Sequence, residues 1–257
     1  MRFVVPAWGL VALVAAMPVG PVSAQRGEEV LVSAATSLTE VMQRLAAVYQ
    51  ARTGRRVTLN FGASNTLARQ IAAGAPVDLF ISADEAQMNA VGAQIASDTR
   101  IDLLSNQLAV AVPADRPVAI ASARDLADPA IRRIALGDPA AVPAGVYAKR
   151  YLERAGVWAR IAPKVIPAGS VRLALAAVEN GAADAAIVYR TDVAAARGAR
   201  LAFVVPAGDA PRIVYPAAVV RSAPHTQAAK QLLAFLRGGE AAGFFRAAGF
   251  IPLAGAN

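Results

Sequence analysis

Residues 57–84 read VTLNFGASNTLARQIAAGAPVDLFISAD, and this stretch gives the clearest indication of the fold class. Its two apolar runs, Val57–Phe61 and Val77–Ile81, contain the β-branched and aromatic residues typical of strands. Between them, residues 66–73 follow a helical pattern that stops at Gly74, and glycine commonly ends helices. A strand, a helix and a second strand in this order predict a parallel β-α-β unit.

The same alternation of strand and helix continues on both sides of this unit. A helix with one apolar stripe follows the first strand and ends at Gly54. Further helices are predicted near residues 145–155 and 171–180, each with a glycine just beyond, and over residues 226–248. Short apolar runs predict the other strands, at Val30–Ala34, Leu108–Val112, Arg133–Leu136, Ala185–Tyr189, Leu201–Val205 and Ile213–Val220. The pattern favours an α/β fold built on parallel sheets.

Two long β-rich segments, Ser105–Pro113 and Ile213–Val220, lack turn signals. Extended segments of this kind suit a chain that leaves one lobe, builds a second lobe and returns. We therefore expect lobe 1 to comprise residues 25–107 and 217–257, and lobe 2 to comprise residues 108–216.

The first 24 residues are expected to be a signal peptide. Arg2 precedes an apolar run, Val4–Met17, that is shorter than the roughly 20 residues of a membrane span. Helix-breaking residues follow, and Val22–Ala24 offers small residues where a signal peptidase cleaves. The expected mature protein begins near Gln25 and is exported.

The chain contains no cysteine, which excludes disulfides, thiolate metal sites and the lipid-modified cysteine of a bacterial lipoprotein. We therefore expect the mature protein to lie outside the cytoplasm without a lipid anchor. The formal net charge is +8. The basic residues of the chain are scattered among acidic ones rather than interleaved with aromatic residues. This arrangement argues against a nucleic-acid-binding surface and favours a diffuse positive field that attracts anions.

The chain offers few side chains in arrangements that enzymes use for catalysis. His225 is the only histidine, and its setting before a helix favours a surface or capping role. Asp78 and Asp84 flank a strand, where structural roles such as capping by Asp84 are expected. Neither a nucleophile elbow nor a glycine-rich nucleotide-binding motif occurs.

Four times, a turn of small residues leads into a helix, around Ser37, Ser64, Ala144 and Val171. Helix starts leave unpaired N–H groups and carry about half a positive charge. In open α/β sheets such turns lie where ligands bind. Ser37 and Glu40 also have the spacing of a capping box, so two interpretations of Ser37 stand together, a helix cap and a ligand contact. Four such turns without a catalytic set favour a binding protein for a small anion.

Four segments carry a family resemblance: AATSLTEVM (34–42), FGASNTLARQIAAGAPVDLFISAD (61–84), GDPAAVPAGVYAK (137–149) and VRLALAAVENGAADAAIVY (171–189). Across the mature chain the sequence resembles the periplasmic molybdate-binding proteins of ABC importers. The resemblance implies a two-lobed, class II periplasmic-binding-protein fold, with a mostly parallel sheet flanked by helices in each lobe and a two-strand hinge.

The resemblance also implies the ligand contacts. The hydroxyls and backbone N–H groups of Ser37 and Ser64, the backbone N–H groups of Ala144 and Val171, and the phenol of Tyr189 would bind molybdate or tungstate. Molybdenum would be held as its oxyanion, with neither a direct cation ligand nor a cofactor. The implied partner is an inner-membrane ABC permease, and the implied state is a monomer. Thr36 and Asn65 depart from the family pattern and bear on selectivity.

Other functions remain open from the sequence. The same fold could bind another oxyanion, such as sulfate or phosphate. Two further alternatives are an exported hydrolase using Tyr189 or Asp78 and a nucleic-acid-binding or surface-binding protein that uses the net charge.

Overall fold

A computed structural model describes residues 29–116 and 118–253 of the chain, and the expected signal peptide at residues 1–24 lies outside this range. The strands are β1 (Val30–Ala35), β2 (Val57–Gly62), β3 (Leu79–Ile81), β4 (Ile101–Ser105), β5 (Leu108–Pro113), β6 (Ile134–Gly137), β7 (Val165–Ala168), β8 (Ala185–Tyr189), β9 (Ala199–Val204), β10 (Tyr215–Val219) and β11 (Ile251–Pro252). The α-helices are α1 (Thr39–Thr53), α2 (Ser64–Ala72), α3 (Glu85–Ala90), α4 (Pro143–Arg154), α5 (Trp158–Ile161), α6 (Val171–Glu179), α7 (Arg190–Ala195), α8 (Thr226–Leu236) and α9 (Gly239–Ala247).

The strands form two sheets with helices packed against them. The first sheet has the order β11-β4-β10-β3-β1-β2, and the second has the order β7-β6-β8-β5-β9. The chain passes between the sheets at residues 106–107, after β4, and at residues 205–214, after β9. The predicted two-lobed α/β fold class is confirmed. The exact lobe boundaries, 107/108 and 216/217, stay a prediction.

Both sheets are mixed rather than mostly parallel. Parallel pairing joins β1 to β2 and β3 in the first sheet, and β6 to β7 and β8 in the second. The remaining pairs are antiparallel. The reason lies in the connections, because the chain leaves the first sheet through β4 and β5 and returns in the opposite direction through β9 and β10.

Glycines end four helices where the sequence predicted. Gly54, Gly74, Gly156 and Gly181 all have positive φ, between 68° and 87°. Residues with a β-carbon rarely adopt this backbone conformation, so the glycines allow the chain to turn out of each helix. After Gly54, Gly74 and Gly181 the chain enters the next strand, whereas after Gly156 it enters α5.

Alternation along β3 separates the core into two clusters. Leu79 and Ile81 belong to a large cluster that is continuous across both sheets, whereas Phe80 packs with Leu67 and Met88 on the opposite face of the first sheet. None of the helices within the described residues is long and apolar enough to cross a bilayer. The continuous core holds the two sheets with the ends of their parallel strands facing each other.

Candidate functional site

All six parallel-paired strands end at one pocket. The pocket is lined by Ala35, Thr36, Ser37, Gly62, Ala63, Ser64, Ala83, Val142, Pro143, Ala144, Val171 and Tyr189. The first seven of these residues lie at or just beyond the ends of β1, β2 and β3, and the other five lie at or beyond the ends of β6, β7 and β8. Ligands of open α/β sheets bind at this end of the strands, so the position is that of a binding site.

The five predicted contact residues meet in this pocket. Ser37 and Ser64 reach it from the first sheet, whereas Ala144, Val171 and Tyr189 reach it from the second. Each is at most 4 % exposed, so the two halves of the protein close over the pocket.

Open helix starts surround the pocket. The described structure contains no side-chain cap at the start of α2 or of α4, where Pro143 occupies the first turn. Ser170 caps α6 by accepting a hydrogen bond from the N–H of Leu173, 3.2 Å away, which leaves the N–H of Val171 uncapped by this serine. Because the first N–H groups of a helix have no partner within the helix, these starts offer donors to a ligand.

Two glycines bring the start of α4 against the end of β6. A β-carbon on Gly145 would lie 1.8 Å from the carbonyl oxygen of Gly137, and one on Gly137 would lie 2.6 Å from a methyl group of Val142. Gly145 does not line the pocket. Gly145 therefore provides close packing that positions Ala144.

The capping-box interpretation of Ser37 is wrong. Ser37 lies in a short 3-10 turn, Thr36–Leu38, and its Oγ lies 3.0 Å from the Tyr215 hydroxyl, while Glu40 pairs with Arg172. Ser37 and Glu40 therefore contact residues of other elements, Tyr215 and Arg172, instead of forming a capping box with each other. Ser37 therefore keeps its pocket position through Tyr215.

Ser64 has a defined hydrogen-bond direction. Its Oγ accepts a hydrogen bond from the N–H of Ala83, 2.9 Å away. A hydroxyl that accepts in this way still has its own proton to donate. Since Ser64 lines the pocket, it can donate that proton to an anion.

Tyr189 is a buried donor without a partner. Its hydroxyl makes no hydrogen bond within the described part of the chain, and the residue is 1 % exposed. Burial raises the pKa of Tyr189 well above its ordinary value, so the phenol stays protonated at neutral pH. A buried hydroxyl without a partner destabilises the protein unless a ligand forms a hydrogen bond with it.

Sequence reasoning missed Asp192. Its buried carboxylate accepts a hydrogen bond from the N–H of Tyr189, 3.2 Å away, and forms an ion pair with Arg172. Burial raises the pKa of Asp192 to about 6, although Arg172 acts to lower it. Asp192 thus fixes the backbone of Tyr189 from outside the pocket. The one sequence signal for this contact was the position of Asp192, three residues after Tyr189 at the start of a helix.

The other predicted residues lie outside the pocket, with one exception. Thr36 lines it, whereas Asn65 does not. Asp84 caps α3 through the N–H of Gln87, as predicted. The Asp78 carboxylate accepts hydrogen bonds from the N–H groups of Leu31 and His225, and it also lies 3.2 Å from Nδ1 of the His225 ring. No group of three metal-ligating side chains within residues 29–116 and 118–253 could hold a metal ion.

Comparison with known proteins places the chain among binding proteins. The family model for bacterial extracellular solute-binding proteins matches residues 30–251. The molybdate-binding protein ModA of Escherichia coli is 40 % identical over 229 residues, which cover 86 % of this chain and 88 % of the relative.

Solved structures agree. The periplasmic molybdate-binding protein of Azotobacter vinelandii superposes with a TM-score of 0.78 at 26 % identity, covering 86 % of this chain and 98 % of that one. The sulfate-binding protein SubI of Mycobacterium tuberculosis superposes with a TM-score of 0.72 at 21 % identity, covering 88 % and 87 %, which shows the fold alone. The predicted family resemblance is confirmed, and the chain belongs to the family of bacterial extracellular solute-binding proteins.

Proposed function

We propose that the protein captures molybdate, and equally tungstate, in the pocket between its two sheets and delivers it to an ABC permease. The identity to the Escherichia coli molybdate-binding protein over most of both chains supports this ligand class. The pocket supports it independently, because its lining offers hydrogen-bond donors from both halves of the protein.

The observation that carries the proposal is the unpartnered hydroxyl of Tyr189. It lies buried in a pocket whose lining contains neither a carboxylate nor a charged side chain. A tetrahedral oxyanion offers acceptors on every side. It would therefore accept hydrogen bonds from Tyr189, Ser37 and Ser64 and from the N–H groups at the open helix starts.

Neutral donors suit a protein that must release its ligand. Hydrogen bonds and helix starts stabilise a buried dianion without a matching cation. The ion pair between Arg172 and Asp192 lies outside the pocket lining. The binding energy is then spread over donors from both halves of the protein, and it is lost when the halves separate.

We infer that the protein has no catalytic activity. Asp78 and His225 are the one carboxylate–histidine contact among the described residues, and the Asp78 carboxylate already accepts backbone hydrogen bonds that fix chain segments. Neither residue lines the pocket. The protein would act as a monomer without nucleic acid, in the periplasm, after removal of residues 1–24 and without a lipid anchor.

Entry of a ligand requires the closed pocket to open. We infer that lobe 1 (residues 25–107 and 217–257) and lobe 2 (residues 108–216) separate about the two connections between the sheets. An oxyanion that contacts Ser37 and Ser64 on one lobe and Tyr189 on the other would favour closure. Small-angle scattering should then give a smaller radius of gyration when molybdate is added.

Thermal melting with and without anions tests the proposed function. A ligand at about 1,000 times its dissociation constant stabilises a protein by about 4 kcal/mol. Molybdate and tungstate should raise the melting temperature, and chloride at equal ionic strength serves as the control. The absence of a shift at millimolar molybdate would contradict the proposal, and a larger shift with sulfate or phosphate would favour the other oxyanion.

A further inference from the structure

A chain of buried hydrogen bonds lies behind the pocket. Asn106, in the connection between β4 and β5, has its Nδ2 3.3 Å from the hydroxyl of Tyr215. That hydroxyl lies 3.0 Å from Ser37 Oγ, at the pocket. Asn106 is 5 % exposed, Tyr215 is 0 % exposed and Ser37 is 3 % exposed, so water does not compete for these bonds.

The amide of Asn106 has one allowed orientation. Its Oδ1 accepts a hydrogen bond from the N–H of Gln107, 2.8 Å away, and its Nδ2 donates to Thr191 Oγ1, 2.9 Å away. Rotating the amide by half a turn would bring two donors together at Gln107. The NH₂ group therefore faces Tyr215.

This orientation sets the direction of the next bond. An amide NH₂ group only donates, so the Tyr215 oxygen accepts from Asn106. The single proton of Tyr215 must go elsewhere, and Ser37 Oγ is the acceptor within hydrogen-bond distance among the described residues. Ser37 thus accepts from Tyr215 and keeps its own proton for the pocket.

Ser64, which reaches the pocket from the same sheet as Ser37, shows the same construction. Its Oγ accepts from the backbone N–H of Ala83, which likewise leaves the serine proton free. The oxygen of each pocket serine therefore accepts a hydrogen bond from a group outside the pocket or at its edge, the Tyr215 hydroxyl for Ser37 and the Ala83 N–H for Ser64.

We propose that Asn106 and Tyr215 are positioning residues that hold Ser37 as a hydrogen-bond donor toward the oxyanion and thereby exclude protonated anions. The inference rests on the proposed function. A fully ionised tetraoxoanion needs only donors. Phosphate near pH 7 still carries a proton, and its hydroxyl group needs an acceptor that a donating Ser37 does not provide.

The test is a double-mutant cycle read by calorimetry with molybdate and with inorganic phosphate. Tyr215→Phe removes the proton that Ser37 accepts, so the serine oxygen becomes available to a protonated anion. We expect molybdate to bind roughly tenfold more weakly and the molybdate-to-phosphate ratio to fall by a similar factor. In the Ser37→Ala background the same Tyr215→Phe change should alter molybdate affinity less than about twofold.

Two further variants complete the design. Tyr49→Phe is the matched control, since Tyr49 is a buried tyrosine on α1 that does not line the pocket. Asn106→Asp keeps the Tyr215 ring and provides a carboxylate that takes the Tyr215 proton away from Ser37. It should lower the molybdate-to-phosphate ratio as Tyr215→Phe does, and it serves if Tyr215→Phe does not fold.

The outcomes separate the two proposals. If the parent protein does not bind molybdate, the proposed function fails. If the parent binds but Tyr215→Phe weakens both anions equally, or by the same factor with and without Ser37, Tyr215 acts through packing and the inference is overturned. An unchanged molybdate-to-phosphate affinity ratio in Asn106→Asp would overturn the inference as well.

Discussion

Arg172 Nε lies 2.9 Å from Asp192 Oδ1, and this carboxylate is completely buried. The same guanidinium also pairs with Glu40 on α1, across the gap between the two halves of the protein. Asp192 in turn accepts the N–H of Tyr189. The ion pair therefore connects the start of α6, the pocket tyrosine and the opposite half of the molecule.

The raised pKa of Asp192 predicts a specific pH dependence of stability. Its pKa is about 6 in the folded protein, against an ordinary value of 3.8, because burial disfavours the charged form. The folded state therefore takes up this proton first as the pH falls. The contribution of Asp192 to stability is fully present below about pH 4 and is lost as the pH rises through about 6.

Denaturant unfolding of the parent and of Asp192→Asn should reveal this difference. From pH 7 to pH 4, the parent should gain up to about 3 kcal/mol relative to the variant, at about 1.4 kcal/mol per pKa unit. Asp98→Asn, which neutralises an exposed carboxylate, serves as the control. A difference that stays constant, or that favours the variant in acid, would contradict the assignment.

The two partners of Arg172 should differ in importance. Arg172→Met leaves the buried carboxylate of Asp192 uncompensated, which costs about 3 kcal/mol or more at neutral pH. Glu40→Gln removes an ion pair whose carboxylate is half exposed, so its cost should stay below about 1 kcal/mol. Chemical denaturation at pH 7 measures both values. Equal losses would show that the buried pair does not dominate.

Tyr189→Phe should affect stability and binding in opposite directions. Removing a buried hydroxyl without a partner should raise the stability of the free protein by about 1 kcal/mol. The same change removes a hydrogen bond to a charged ligand, so molybdate should bind roughly 10- to 150-fold more weakly. Melting without ligand and calorimetric titration give the two readings. A variant that is destabilised yet binds like the parent would refute the role given to this hydroxyl.

Gly145→Ala should disrupt the start of α4. The added β-carbon would lie 1.8 Å from the Gly137 carbonyl oxygen, so the helix must move away from β6 and carry Ala144 with it. We expect a loss of about 2 kcal/mol or more in stability, together with weaker molybdate binding. Gly243→Ala is the matched control, because Gly243 lies in α9 with no atom within 4 Å of an added β-carbon. That variant should be neutral or slightly more stable. Equal effects of the two changes would argue against the tight contact at Gly145.

Local patterns in the sequence predicted the elements that end at clear signals. Gly54 and Gly74 marked helix ends because only a residue without a β-carbon easily adopts their positive φ. Strand β7 was missed because it has four residues, includes Pro167 and is partly exposed, so it lacks an apolar run. Helix α7 was missed because its six residues follow β8 without a turn.

The site was predictable where it depends on helix starts and on family resemblance. Its supporting contacts were not, because they join residues far apart in the chain. Tyr215 lies 178 positions from Ser37, and no spacing rule relates them. The Ser37–Glu40 spacing suggested a cap, but the capping box did not form once Tyr215 and Arg172 offered partners from other elements.

Competition calorimetry with four anions tests the central claim most directly. The pocket lining contains donors without a carboxylate, so protonated phosphate would leave a buried group unsatisfied at a cost of roughly 1–3 kcal/mol. Sulfate carries the full charge but is smaller, so donors fixed by separate helix starts cannot all reach it. Molybdate and tungstate, nearly equal in size, should therefore bind with similar affinity, and sulfate and phosphate should bind more weakly by orders of magnitude. Sulfate binding within about tenfold of molybdate would contradict the account and identify the protein as a general oxyanion binder.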